Sequence, residues 1–202
     1  MSIPVIASLL LLLLLAASSS SPAAAARPGG GPYTHIRFYM HETVSGRDAT
    51  LLRSVQSPLG GDSMFGSVNV LDNELRDGPD RSCSRLLARL QGLFVGAGLV
   101  SPPGLMSSLN VVFTAGKLRG STLALLGPVL DFEAPVERAL VGGTGVFRMA
   151  RGYSIMTSVG NYTMSGAVVL VDRIDLFVKI PRWATIMESL EEDSSSESLF
   201  ED

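Results

Sequence analysis

V-G-G-T-G-V-F-R-M-A-R-G-Y, residues Val141 to Tyr153, reads as a chain reversal that opens into a strand. Gly142, Gly143 and Gly145 accept backbone angles that other residues resist, so the chain turns here. From Phe147 a two-residue alternation sets Phe147, Met149, Arg151, Tyr153 and Ile155 on one face of the expected strand, with Arg148, Ala150, Gly152 and Ser154 on the other. Arg151 thus shares an apolar face. A guanidinium among such neighbours needs an anionic or hydrogen-bonding partner, because an unpaired buried charge costs several kcal/mol. A structural ion pair to a neighbouring strand satisfies that need as well as a substrate does.

Working outward, the same strand signature recurs. Tyr33 to Val44, Met64 to Leu71, Leu86 to Val100, Leu105 to Ala115, Ser121 to Leu126, Val136 to Val141, Val146 to Thr157 and Ala167 to Ile180 give about eight strands. Turn signals separate them: Ser45-Gly46, Gly60-Gly61-Asp62, Asp77-Gly78-Pro79, Ser101-Pro102-Pro103-Gly104 and Gly127-Pro128. No helical periodicity of any length appears. The expected fold is all-β, an eight-stranded antiparallel β-barrel, since closure removes exposed edges and leaves room for a small ligand at the mouth.

The ends of the chain differ from its body. Val5 to Ala17, with seven consecutive leucines from Leu9 to Leu15, followed by Ser18 to Ser21 and Ala23 to Ala26, reads as a signal peptide over residues 1–26. The barrel domain is assigned to residues 27–187, and the acidic stretch 188–202 is expected to be disordered. Seven of the 19 acidic residues lie in that stretch, so the body is mildly basic against its share of the 16 Lys and Arg. That excess is too weak and too scattered for a nucleic-acid surface. Cys83 is the only cysteine, which excludes an internal disulfide. Two histidines, His35 and His41, give a Cys-His nucleophile nothing to rest on, and no cluster has metal-ligand spacing. Asn161-Tyr162-Thr163 is the one N-x-Thr sequon and makes Asn161 a candidate glycan site.

Five short motifs occur in order along the body. They are Phe38-Tyr39-Met40-His41-Glu42, Phe65-Gly66 with Asp72, Arg89-Leu90-Gln91-Gly92, Arg119-Gly120-Ser121-Thr122-Leu123, and Gly142-Gly143-Thr144-Gly145 with Ala150-Arg151-Gly152-Tyr153. Together they resemble the plant dirigent proteins, outside the subgroup with paired cysteines. The resemblance implies a secreted, apoplastic β-barrel, commonly a homotrimer. It also implies regio- and stereoselective coupling of phenoxy radicals of the monolignol type, such as those of coniferyl alcohol, in lignan and phenylpropanoid biosynthesis. A separate laccase or peroxidase would supply the radicals, so no metal, cofactor or oxidative activity belongs to the protein itself. No nucleic acid and, after signal cleavage, no membrane is an expected partner. Members active in lignan-type coupling usually carry Asp at the position of Glu42 and often an acid at that of Val146.

The chemistry also follows from the residues. In Tyr33 to Val44, Ile36, Phe38, Met40 and Glu42 share one face, so a carboxylate ends an apolar row. Burial raises its pKa and a nearby arginine lowers it, which suits a group that delivers or accepts a proton. Glu42 and Arg151 are the candidate catalytic pair, Glu42 exchanging the proton and Arg151 holding a phenolate or quinone-methide oxygen. Phe38, Met40, Phe94, Phe147 and Tyr153 are the candidate substrate-binding side chains. Two other readings stay open: a non-catalytic cell-wall scaffold that binds phenolics or glycans for lignin deposition, and a cyclase or dehydratase acting on a closed-shell phenolic.

Overall fold

A computed structural model describes residues 33–60, 63–100, 104–132 and 134–180. The expected signal peptide, residues 1–26, and the acidic stretch expected to be disordered, residues 188–202, lie outside the described residues. Nine strands follow in sequence: β1 (Thr34–Thr43), β2 (Leu51–Val55), β3 (Val68–Arg76), β4 (Leu86–Gly96), β5 (Leu105–Phe113), β6 (Thr122–Val129), β7 (Val136–Thr144), β8 (Arg151–Met164) and β9 (Ala167–Lys179). Two short 3-10 turns, Gly116–Leu118 and Gly145–Phe147, are the only helical elements among the described residues.

Eight of the strands close a ring in the order β1, β3, β4, β5, β6, β7, β8, β9, with β9 returning to β1. Every pairing is antiparallel. The ninth, β2, extends the line of β1 along β3. β1 pairs Tyr39 to His41 with Arg76 to Glu74, and β2 takes over from Leu51 opposite Leu71. The intervening excursion is pinched at its base, where the Thr43 amide donates to Thr50 Oγ1 at 2.9 Å and the Thr50 amide to the Thr43 carbonyl at 2.9 Å. The eight expected strands all exist, and β2 is the one that the alternation did not announce.

Several boundaries move: β4 stops at Gly96 rather than Val100, β6, β7 and β8 run on to Val129, Thr144 and Met164, and two strands start later than expected. The third strand runs from Val68 to Arg76 rather than from Met64 to Leu71, because Gly66 takes φ 79° and ends a turn. Its polar residues hid it: Asp72 and Glu74 point outward into ion pairs with Arg89 and with Arg76 and Arg81, while Asn73 is buried inside. The eighth strand begins at Arg151, not Val146, since Gly145–Phe147 coils and Met149 adopts φ 62°.

The core fills one half of the barrel. Phe38, Leu75, Val111, Phe113, Leu123, Phe147, Leu176 and Val178 pack together there, with Phe113 stacked on Phe147 at 5.1 Å between ring centroids. Val146 packs against this same cluster. At about 25 cal/mol per Å² of apolar surface removed from water, this plug is the main source of cohesion. Gly92 lets the wall bend around it, for a Cβ there would lie 2.1 Å from the Ser108 carbonyl oxygen.

Candidate functional site

The other half of the barrel opens into a cavity of about 410 Å³. Its apolar wall includes Met40, Leu71, Leu90, Phe94, Leu109 and Met156, and seven polar side chains interrupt it: Glu42, Asn73, Arg138, Ser158 and Asp172, with Arg53 and Asn69. Strand parity puts them there. On β1 the inward row Phe38, Met40, Glu42 carries the carboxyl to the cavity, and on β9 Asp172 precedes the inward Ile174, Leu176 and Val178. On β7, Arg138 lies between the inward Val136 and Leu140.

Glu42 is only 9% exposed and takes a hydrogen bond from Asn73 Nδ2 to its Oε2 at 2.8 Å. Burial raises its pKa above the ordinary carboxylate value, the Asn73 bond opposes that, and the charge of Asp172 adds to the rise. Asp172 is also raised, first by burial, against a hydrogen bond from Ser158 and the field of Arg138. The two carboxyls therefore resist ionising together, and only Asp172 has a cation acting on it. The field of Arg138 favours the ionised form of Asp172, while burial and the Asp172 charge favour the protonated form of Glu42.

Arg138 is 3% exposed. Its Nε donates to Ser107 Oγ at 2.8 Å, and that hydroxyl donates onward to the Gly127 carbonyl at 2.6 Å. The guanidinium lies 5.8 Å from the centroid of the Phe94 ring. Gly127 makes room for the arginine stem, since a Cβ there would come within 3.2 Å of the Arg138 Cα. Burial lowers the Arg138 pKa to about 10, so it stays charged at neutral pH. Among the described residues no group of His, Cys, Asp and Glu side chains is arranged to hold a metal ion.

The structure separates the residues that the sequence proposed. Glu42, Met40 and Phe94 line the cavity. Phe38 and Phe147 belong to the plug. Arg151 is exposed and outside the cavity, with its Nη1 donating to the Ala150 carbonyl at 2.8 Å. Tyr153 stacks on Phe177 at 4.7 Å on the barrel's outer face, opposite to the expected side. The left-handed Met149 and the 3-10 turn reset the alternation, so that Ser154, across from the fully buried Leu176, points in and Arg151 and Tyr153 point out. Glu42 and Arg151 are therefore not brought together, and the buried arginine of the cavity is Arg138. Asn161 is exposed on β8.

Sequence reasoning missed Arg138, Asp172 and Asn73, although each carries the signal that marked Glu42, a polar residue within an apolar alternate row. In Leu170, Asp172, Ile174, Leu176, Val178 the pattern is plain. In β7 the adjacent Glu137 and Arg138 leave the parity ambiguous until Val136 and Leu140 fix it.

Residues 33–178 match the family described as Dirigent-like protein. Dirigent protein 21 of Arabidopsis thaliana is 40% identical over 149 residues, which is 70% of this chain and 77% of that protein. Pterocarpan synthase 1 of Glycyrrhiza echinata is 35% identical over 151 residues, covering 72% of this chain and 77% of its own. The solved structure of a pterocarpan synthase dirigent protein superposes with a TM-score of 0.60 at 30% identity, over 72% of this chain and 88% of that one. With the barrel, the motifs and these relatives in agreement, the chain belongs to the dirigent family.

Proposed function

We propose that this protein binds a small phenolic in the barrel cavity and imposes the stereochemical outcome of a reaction that passes through its quinone methide. The observation that carries this reading is Glu42, a buried carboxyl with a raised pKa, set beside a second carboxyl and a buried arginine in an otherwise apolar cavity. In the first form of the reaction, two phenoxy radicals of the monolignol type, made by a separate laccase or peroxidase, couple in the cavity. Carbon–carbon bond formation leaves quinone methides. A substrate hydroxyl then attacks the methide carbon and its proton passes to Asp172, while Glu42 delivers a proton to the quinone-methide oxygen, which becomes a phenol. Return of a proton from Asp172 to Glu42 resets the pair. Holding the partners in one relative pose supplies the selectivity, and the acid contributes about 10²- to 10⁴-fold to the closure.

A second reading is favoured by the paired carboxyls and by relatives named pterocarpan synthase. Here a closed-shell phenol with a benzylic hydroxyl loses water to form the quinone methide, and an internal hydroxyl closes the ring. The same acid and base serve both.

Secretion to the apoplast, a glycan on Asn161 and assembly as a homotrimer complete the proposal. Exposed outward side chains of Leu52, Val70 and Leu93 lie side by side across β2 to β4, and Met106 and Leu126 continue the apolar patch on either side of Ser108 over β5 and β6, which supports burial against a second copy. Light scattering of the purified protein checks the oligomer: a trimer is expected, and a monomer at micromolar concentration overturns it.

The function is tested by oxidising coniferyl alcohol with a laccase in the presence of the protein and separating product enantiomers by chiral chromatography. An enantiomeric excess is expected. A racemate rules out coupling of that substrate, and water loss from a benzylic-hydroxyl phenol then decides the second reading.

A further inference from the structure

Two buried polar atoms in the cavity wall have no protein partner: Asn73 Oδ1 and Arg138 Nη2. Asn73 is 0% exposed and Arg138 is 3% exposed. An unpaired buried donor or acceptor costs about 1–3 kcal/mol, so such atoms persist where a ligand satisfies them. The amide orientation of Asn73 is fixed independently of Glu42. Its Nδ2 lies 3.4 Å from Met40 Sδ as well as 2.8 Å from Glu42 Oε2, and a thioether sulfur accepts hydrogen bonds but cannot donate them. Oδ1 is thus an unpaired acceptor. The arginine is equally constrained, because Ser107 occupies Nε, the Met156 sulfur lies 3.8 Å from Nη1, and Phe94 backs the plane. Nη2 is an unpaired donor.

The two residues are rooted on opposite walls. In the ring of eight, Asn73 on β3 and Arg138 on β7 are four strands apart in either direction. A cavity of about 410 Å³ falls in the range that encloses one drug-sized molecule. We infer that the ligand is a single two-ended oxygenated diaryl molecule, with a hydroxyl at one end donating to Asn73 Oδ1 and an oxygen at the other accepting from Arg138 Nη2. Asn73 is the residue that selects the hydroxyl end. This inference rests on the phenolic reading of the cavity and narrows it. It also fits the proposed chemistry, since the phenol generated by protonation at Glu42 finds its acceptor on the neighbouring residue.

Three fluorescent probes test it on the full-length folded protein: a stilbene with a para-hydroxyl on each ring, its monomethyl ether and its dimethyl ether. The first two retain one donor and an oxygen at the far end, whereas the dimethyl ether has no donor. Fluorescence titration of the unmodified protein is expected to give equal affinity for the first two and about tenfold weaker binding of the dimethyl ether. In Asn73→Leu, checked for an intact melt, the three affinities are expected to converge at the weakest value. In Arg138→Met all three are expected to fall together. Equal binding of all three probes to the unmodified protein, or a monomethyl ether as weak as the dimethyl, overturns the inference while leaving a phenol-binding cavity. Binding of none overturns the phenolic reading and the inference with it.

Discussion

On four strands, a step of two residues toward the open end of the barrel turns an apolar inward side chain into a polar one. Leu75 gives way to Asn73, Leu140 to Arg138, Ile174 to Asp172 and Met40 to Glu42. One half of the barrel is thus a dry plug of Phe, Leu and Val, and the other is a cavity belted by charge. The backbone is the same in both halves, so the difference lies in side chains alone. The plug makes the fold stable, and the belt concentrates the unfavourable terms: two carboxyls held above their ordinary pKa, a desolvated arginine and two unpaired polar atoms. Such departures from stable packing belong where a ligand is bound.

Substitutions on the two sides of this boundary should behave in opposite ways. The largest effect is expected in the plug, where Phe113→Ala removes a ring that contacts both Phe38 and Phe147. It should cost about 3–5 kcal/mol in guanidinium unfolding and leave the cavity residues in place. Next, Glu42→Gln should lower the rate of product formation about a hundredfold with little change in fold, measured as initial rate at saturating substrate. The same variant tests the electrostatics. Because folding raises the Glu42 and Asp172 pKa values, the folded state holds those protons more tightly than the unfolded chain. The resulting stability is fully present below the unfolded carboxylate pKa and is lost as pH rises through the folded values. The melting temperature of Glu42→Gln should therefore gain on that of the unmodified protein as pH rises from mildly acidic to neutral, a comparison in which the opposite contribution of His41, whose pKa burial lowers, cancels. Arg138→Met should leave stability level or raise it by about 1 kcal/mol, as replacement of desolvated charge by apolar volume often does, while selectivity is lost. The smallest effect belongs to Arg151→Ala, within about 0.5 kcal/mol and with unchanged selectivity, because that side chain is exposed.

The sequence displayed the barrel well, because a ring of antiparallel strands with one solvent face writes its parity into alternate residues. β2 escaped notice because Leu51–Val55 is half-exposed to exposed and carries no apolar row. Glu42 was legible for the same reason as the strand that carries it. Asp172 bore the same mark, but Asp175 three residues later, drawn into outer-face contacts with His35 and Arg37, blurs the β9 pattern. Arg151 was misplaced by a local effect that no alternation reveals: a single left-handed residue, Met149, after a 3-10 turn shifts which residues face inward. Parity is reliable within a strand and is lost across an irregular joint.

The decisive measurement compares the two arginines in one assay, the enantiomeric excess of laccase-driven coniferyl alcohol coupling in the presence of Arg138→Met or Arg151→Ala. The cavity account predicts a racemate from Arg138→Met and the unmodified protein's excess from Arg151→Ala. Retained selectivity in the first with a racemate in the second would contradict it.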